Sequence, residues 1–206
     1  MNSKPWRIRP LSDRFEIDPV SGLLNETDYK SSPFCDERPS GCPPDLIVIH
    51  SISLPPGRFG GDLVTRLFTG TLQPDDPTIS PETAALRVSA HLFIDRTGAV
   101  IQYVPFHARA WHAGESRYRD RARCNDFSIG IEVEGTDFEP FDIAQYRTLT
   151  GVIDALLRVY PSLSSKRIVG HCDIAPGRKT DPGPHFDWDL LHHELQHRRR
   201  QSDEAI

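Results

Sequence analysis

No window of this 206-residue chain approaches the roughly 18 consecutive apolar residues that a membrane helix needs, and Met1 to Pro10 hold no apolar core of an export signal. The expectation is a cytoplasmic protein that has no membrane as partner. Positive charge is also short: 24 Lys and Arg stand against 29 Asp and Glu, for a formal net charge of −5. Without a dominant basic stripe or polybasic patch, nucleic acid is not expected as the main partner. Nothing marks an obligate protein partner either. Cysteine is sparse: Cys35, Cys42, Cys124 and Cys172 are too few for a disulfide framework and are expected as thiols, with Cys35 and Cys42 a possible pair only in an exported chain. Internal repeats are absent.

What is present is ordinary globular material, 37% hydrophobic, 26% charged and 9% aromatic. It is read most economically as one domain over residues 1–206, with a sizeable core. Residues 1–44 are polar and broken by Pro and Gly, and are expected as an arm packed on the domain; 200–206 are expected as a flexible tail.

Leu46-Ile47-Val48-Ile49 is a continuous apolar run of strand length, the pattern of a strand buried on both faces, and it ends in His50. The next segment, 51–85, is a Gly- and Pro-rich excursion around one short amphipathic piece, Leu63 to Phe68, placed to wall a cleft. Val88 to Ile94 and Ala99 to Val104, joined by Asp95-Arg96-Thr97-Gly98, predict a hairpin. After a second excursion, 105–127, Ser128 to Glu134 alternates cleanly. Ile129, Ile131 and Val133 share one face, and Ser128, Gly130, Glu132 and Glu134 the other. From Asp142 to Tyr160, apolar residues recur at three- and four-residue steps, with Asp142 as N-cap and Pro161 as stop. A last helix is expected from about Asp187 to Arg199. Strands interspersed with helices give an α/β fold, a central mixed sheet flanked by helices with long loops around a cleft.

The densest chemistry lies in Arg167 to Trp188. A short apolar strand, Ile168 to Gly170, gives way to an irregular loop bearing His171, Asp173, Lys179, Asp181 and His185. Two metal sites compete. His193-Glu194-Leu195-Gln196-His197 matches H-E-x-x-H, which read alone suggests a metalloprotease. On a helix, however, Trp188, Leu191 and Leu195 gather on one side, and His193 and His197 fall on roughly the opposite one. Little chain follows for a further ligand, so a solvated helix face is the preferred reading. The other set is His50, His171 and Asp181, two imidazoles and a carboxylate, which leaves zinc a fourth position for water. Its spacing is not local, and a lone histidine at a strand end is more often structural than a ligand.

Five blocks in order carry a resemblance that decides between them: Leu46 to Gly57, Leu86 to His91, Ala110 to Gly114, Cys124 to Gly135 and Gly170 to Trp188. Together they resemble the zinc-dependent N-acetylmuramoyl-L-alanine amidases of the amidase-2 type, most closely the cytoplasmic branch that acts on anhydro-muropeptides in cell-wall recycling. The resemblance implies that His50, His171 and Asp181 bind Zn2+, that Glu132 positions or deprotonates the attacking water, and that Lys179 stabilises the oxyanion. It implies a muropeptide substrate cut between the lactyl group and L-alanine. Because the stem peptide bears carboxylates, Arg87, Arg121 and Arg123 are candidates to bind them, and Trp111 to stack on sugar or peptide. Glu134 is read as supporting. His91 and His112 are read as packed or substrate-contacting residues rather than a fourth ligand. Cys172 is expected to point away from His171 if the strand continues. Ser51 departs from the family pattern, where Asn often follows the first ligand. The same scaffold also serves proteins that bind peptidoglycan without cutting it, and the presence of all three ligands favours catalysis.

Overall fold

The computed structural model describes residues 15–25, 27–73 and 75–204. Residues 1–14 of the expected arm and residues 205–206 of the expected tail lie outside the described residues. In chain order come β1 (Asp28–Tyr29), β2 (Cys35–Glu37), β3 (Leu46–Ile52), α1 (Leu63–Phe68), α2 (Pro81–Ala84), β4 (Leu92–Ile94) and β5 (Val100–Gln102). There follow β6 (Ala108–Ala110), β7 (Arg117–Tyr118), β8 (Arg121–Ala122), a 3-10 turn at Cys124–Asp126, β9 (Ser128–Glu134), α3 (Ile143–Val159), β10 (Ile168–Gly170), α4 (His171–Ile174) and α5 (Trp188–Glu204).

Six strands form one mixed sheet in the order β1-β5-β4-β9-β3-β10. Its centre is parallel: β3 runs beside β10 on one side and β9 on the other, and β4 runs parallel to β9. β4 and β5 make the antiparallel hairpin. The expected α/β architecture is thus observed.

The alternation of side chains along β3 and β9 divides the core. Ile47, Ile49, Ile129 and Ile131 face α3 and α5, where they meet Leu149, Val152, Ile153, Leu156, Leu191 and Leu195. Each such side chain, nearly or fully buried, contributes about 1.5–3 kcal/mol relative to exposure. Leu46 and Val48 face the other way, against Ala113, Cys124, Phe127 and Ile174. Continuing that period of two puts His50 on the second face, and Ser128, Gly130 and Glu132 with it. The long helices α3 and α5 therefore cover one face, while loops and the short helices α1 and α4 cover the face that carries the polar residues. A third cluster packs Val64, Leu67 and Phe68 of α1 on Phe93 and Tyr103.

Several boundaries move for local reasons. β4 starts at Leu92 rather than Val88, because Ser89 N–H bonds Trp111 O (3.1 Å) and leaves the hairpin. The hairpin turn closes at Gly98, whose φ of +83° suits glycine. A Cβ there would stand 2.7 Å from Ala144 O. α3 begins where expected, with Asp142 N–H donating to Gln145 Oε1 at 2.9 Å. α5 runs five residues past its expected end, to Glu204. Phe15, Ile17 and Leu24 are buried in the helix-side core.

Candidate metal centre and cleft

Three adjacent parallel strands deliver the site. His50 lies near the end of β3 in register with Glu132 of β9. Gly170 of β10 pairs with Ile49, so the next residue, His171, arrives beside His50. Asp181 is brought back to both by Cys172 N–H, which donates to Asp181 O at 2.9 Å. Assembly at the carboxyl ends of parallel strands is where open α/β sheets place sites.

The three expected ligand atoms meet. His50 Nδ1, His171 Nδ1 and Asp181 Oδ2 lie 3.0 Å from one another in every pairing. Among the described residues this is the one group of three or more His, Cys, Asp or Glu side chains able to hold a metal ion. His171 Nε2 faces the carbonyl of Ala113 at 3.1 Å, which can only accept, so that nitrogen carries a proton and Nδ1 is the ring atom turned to the other two groups. Burial foremost lowers the pKa of His50 to about 4, so this imidazole is neutral. Two imidazoles and a carboxylate aimed at one point form the donor set of a divalent cation such as zinc. The residues present fit that group.

Glu132 is partly exposed overall, yet its Oε2 is enclosed and has no hydrogen-bond partner. Burial, then the Asp181 carboxylate, push its pKa well above the ordinary value, and the charge of Lys179 opposes them. Lys179 and Asp181 lie along one wall of a cleft of about 500 Å³, with Ser51, Ser53 and Pro56 from the first excursion. The far wall is the loop after β9, Gly135 to Glu139, in which Phe138 is 85% exposed.

The expected substrate residues sit apart from this cleft. Trp111 Nε1–H donates to Asp36 Oδ1 (3.2 Å), and Asp36 is held by Arg109, which also bonds Asp126. Arg123 contacts Asp126 at 3.3 Å and is 72% exposed; Arg87 is exposed as well. Arg121 is committed to Asp45 and stacks on Phe127. The competing H-E-x-x-H pair does not form a site: His193 and His197 are exposed, while Leu191 and Leu195 on the other side are buried. All four cysteines are free thiols. β10 stops at Gly170 and α4 begins at His171, so strand alternation never reaches Cys172.

Sequence reasoning missed the Gly135 to Glu139 wall, whose only signal is a loop following the end of a central strand. It read His112 as packed or substrate-contacting and did not foresee its contact with His50, whose Nε2 stands 2.9 Å from His112 Nδ1.

Fold and site together define an α/β protein with a cluster able to hold a metal ion at the carboxyl ends of its central strands, and the comparisons give its class. The family model for N-acetylmuramoyl-L-alanine amidase matches residues 40–184, and the chain belongs to that family. Within it the chain stands with the AmpD-type amidases. It is 57% identical over 157 residues to the 1,6-anhydro-N-acetylmuramyl-L-alanine amidase AmpD of Escherichia coli (strain K12), covering 76% of this chain and 85% of that one. It superposes on the crystal structure of a selenomethionine AmpD derivative with a TM-score of 0.82 at 51% identity, over 86% of this chain and 97% of the other. A more distant structure, the AmiD amidase from E. coli in complex with the substrate anhydro-N-acetylmuramic acid-L-Ala-D-gamma-Glu-L-Lys, matches with a TM-score of 0.56 at 27% identity, over 87% and 65%.

Proposed function

We propose that this chain is a zinc amidohydrolase that cuts the lactyl–L-alanine amide of anhydro-N-acetylmuramoyl peptides in cytoplasmic peptidoglycan recycling. The observation that carries the reading is the meeting of His50 Nδ1, His171 Nδ1 and Asp181 Oδ2 at 3.0 Å, beside an unpartnered Glu132 Oε2. The substrate is supported by the names of the AmpD relatives and by the ligand of the AmiD complex. Four free thiols support a reducing compartment. Among the described residues no helix is long and apolar enough to cross a membrane.

His50, His171 and Asp181 would hold the zinc, which supplies a Lewis acid for the scissile carbonyl and an activated water near neutral pH. Glu132 takes the proton of the attacking water. It returns that proton to the amide nitrogen as the C–N bond breaks, leaving a lactyl carboxylate and the free amine of L-alanine. The Lys179 ammonium stabilises the negative charge gathering on the carbonyl oxygen. The cleft beside Asp181 and Lys179 receives the substrate, with Phe138 as an apolar surface on its rim. Arg87, Trp111 and Arg123, outside the residues that line this cleft, would contact a part of the sugar or stem peptide that extends beyond it.

Purified protein is to be incubated with soluble anhydro-muropeptide and with intact sacculi, with and without chelator, and the products weighed by mass spectrometry. Cleavage of the soluble fragment, lost with chelator and lost in Asp181→Ala together with bound zinc, is the expected result. Full activity without metal, or release from sacculi alone, would overturn the scheme.

A further inference from the structure

A row of buried hydrogen bonds runs away from the metal centre on the side opposite the cation position. His50 Nε2 is 2.9 Å from His112 Nδ1, His112 Nε2 is 3.0 Å from Ser128 Oγ, and Ser128 Oγ is 2.6 Å from the carbonyl oxygen of Cys124. His50 and Ser128 are fully or nearly fully buried and His112 is 9% exposed.

The direction of this row is fixed at its far end. A carbonyl oxygen only accepts, so the single proton of Ser128 Oγ is committed to Cys124 O. Ser128 Oγ must then accept from His112 Nε2, which therefore carries the ring proton. A neutral His112 has its lone pair on Nδ1, and that lone pair accepts from His50 Nε2–H. What remains on His50 is a bare Nδ1, the atom 3.0 Å from both His171 Nδ1 and Asp181 Oδ2. A backbone carbonyl thus dictates, through two side chains, which nitrogen of His50 is available.

The surroundings hold His112 in place for this. Its ring lies over Gly130, where an added Cβ would stand 2.3 Å from His112 Cγ, so only a residue without a side chain admits it. Gly130 is pinned in turn, donating its N–H to His91 Nδ1 at 3.0 Å. The backbone N–H groups of His112 and Ala113 both donate to Asn125 Oδ1, at 3.1 and 2.8 Å.

We propose that His112, backed by Ser128, is a positioning residue for the metal centre: it holds the proton of His50 on Nε2 and so presents the Nδ1 lone pair to the cation. The proposal rests on the reading of His50, His171 and Asp181 as metal ligands. It assigns His112 neither a ligand's role nor contact with substrate. It also gives Ser128 and Gly130 a purpose that strand alternation alone does not.

The test uses the full chain and zinc alone. Zinc affinity is measured by competition with a chromophoric chelator, and the protonated nitrogen of His50 by long-range proton–nitrogen NMR. Replacing a partner that orients a metal-bound histidine costs about 10–100-fold in metal affinity, and that loss is expected for His112→Phe. His112→Asn, whose amide oxygen can replace the Nδ1 acceptor, keeps most of the affinity, a contrast that mere packing would not produce. Ser128→Ala, the smaller change, loses affinity in the same direction and leaves His50 as a mixture of tautomers, which decides the matter if His112→Phe fails to fold. Unchanged affinity in Ser128→Ala and His112→Phe, or a wild-type His50 protonated on Nδ1, overturns the proposal. His50→Ala separates the two levels: if it binds zinc like the wild type, the metal centre itself is wrong, whereas loss of zinc there with none in the His112 and Ser128 variants leaves the centre standing without this support.

Discussion

Glu132 and Glu134 lie two residues apart on one face of β9, yet their surroundings give them different work. Glu134 is buried, with Oε1 accepting from Gly60 N–H at 2.5 Å and Oε2 from Arg96 N–H at 3.1 Å. It ties the first excursion to the hairpin turn. Glu132 Oε2 receives no such donor, and only Lys179 offsets the burial and the Asp181 charge that favour its protonated form. A carboxylate whose oxygens are spent on backbone donors is poorly placed to move a proton, and one left unpartnered beside the reacting bond is well placed. Glu132→Gln is therefore expected to lower kcat by about 10²–10⁴-fold while zinc content stays unchanged. Glu134→Gln is expected to lower thermal stability with kcat largely kept. The reverse pattern, read from kinetics and melting curves side by side, would exchange their roles.

At the scale of elements, α3 separates stability from chemistry, since it packs on the sheet face away from the site. Its N-cap, Asp142, also meets Arg96 at 2.7 Å, but that pair is partly exposed and adds little. Asp142→Ala is expected to cost about 1 kcal/mol, a fall in Tm of about 2–4 °C, without change in kcat/KM. A matching loss of activity would mean that α3 reaches the site. Legible in the sequence were β3, β9, α3 and α5 through their period or length, the hairpin of β4 and β5 through its Asp95 to Gly98 turn, and β10 as an apolar run before the irregular loop. α1 was legible as a single amphipathic turn. The two- and three-residue strands β1, β2 and β6 were not, because so short a piece has no alternation to read. α2 was missed although Ser80-Pro81 is a cap followed by an N1 proline, with Ser80 accepting from Thr83 N–H. The site was legible only in part. His50 alone looks structural, and the family resemblance singled out the three proposed ligands and Glu132, which the sheet brings together. The part played by His112 depends on a ring lying across Gly130, which no spacing announces.

For the molecule as a whole, the ligands report on the assembled sheet. His50 and His171 are 121 residues apart in the chain, and His50 and Asp181 are 131 apart. Their meeting requires β10 and β3 to be docked in register, a condition the unfolded chain does not satisfy. His50 Nδ1, His171 Nδ1 and Asp181 Oδ2 face one another at 3.0 Å. A cation that binds this arrangement and not the unfolded chain stabilises the fold by mass action, about 4.1 kcal/mol at a free concentration 1,000 times Kd. For a chain of this size the corresponding rise in Tm is on the order of 10 °C. Scanning calorimetry of chelator-treated protein, with zinc added back in steps, checks the size of the rise and its dependence on concentration. In Asp181→Ala the same additions are expected to move Tm far less. A rise of equal size in that variant would place the stabilising cation somewhere other than between His50, His171 and Asp181.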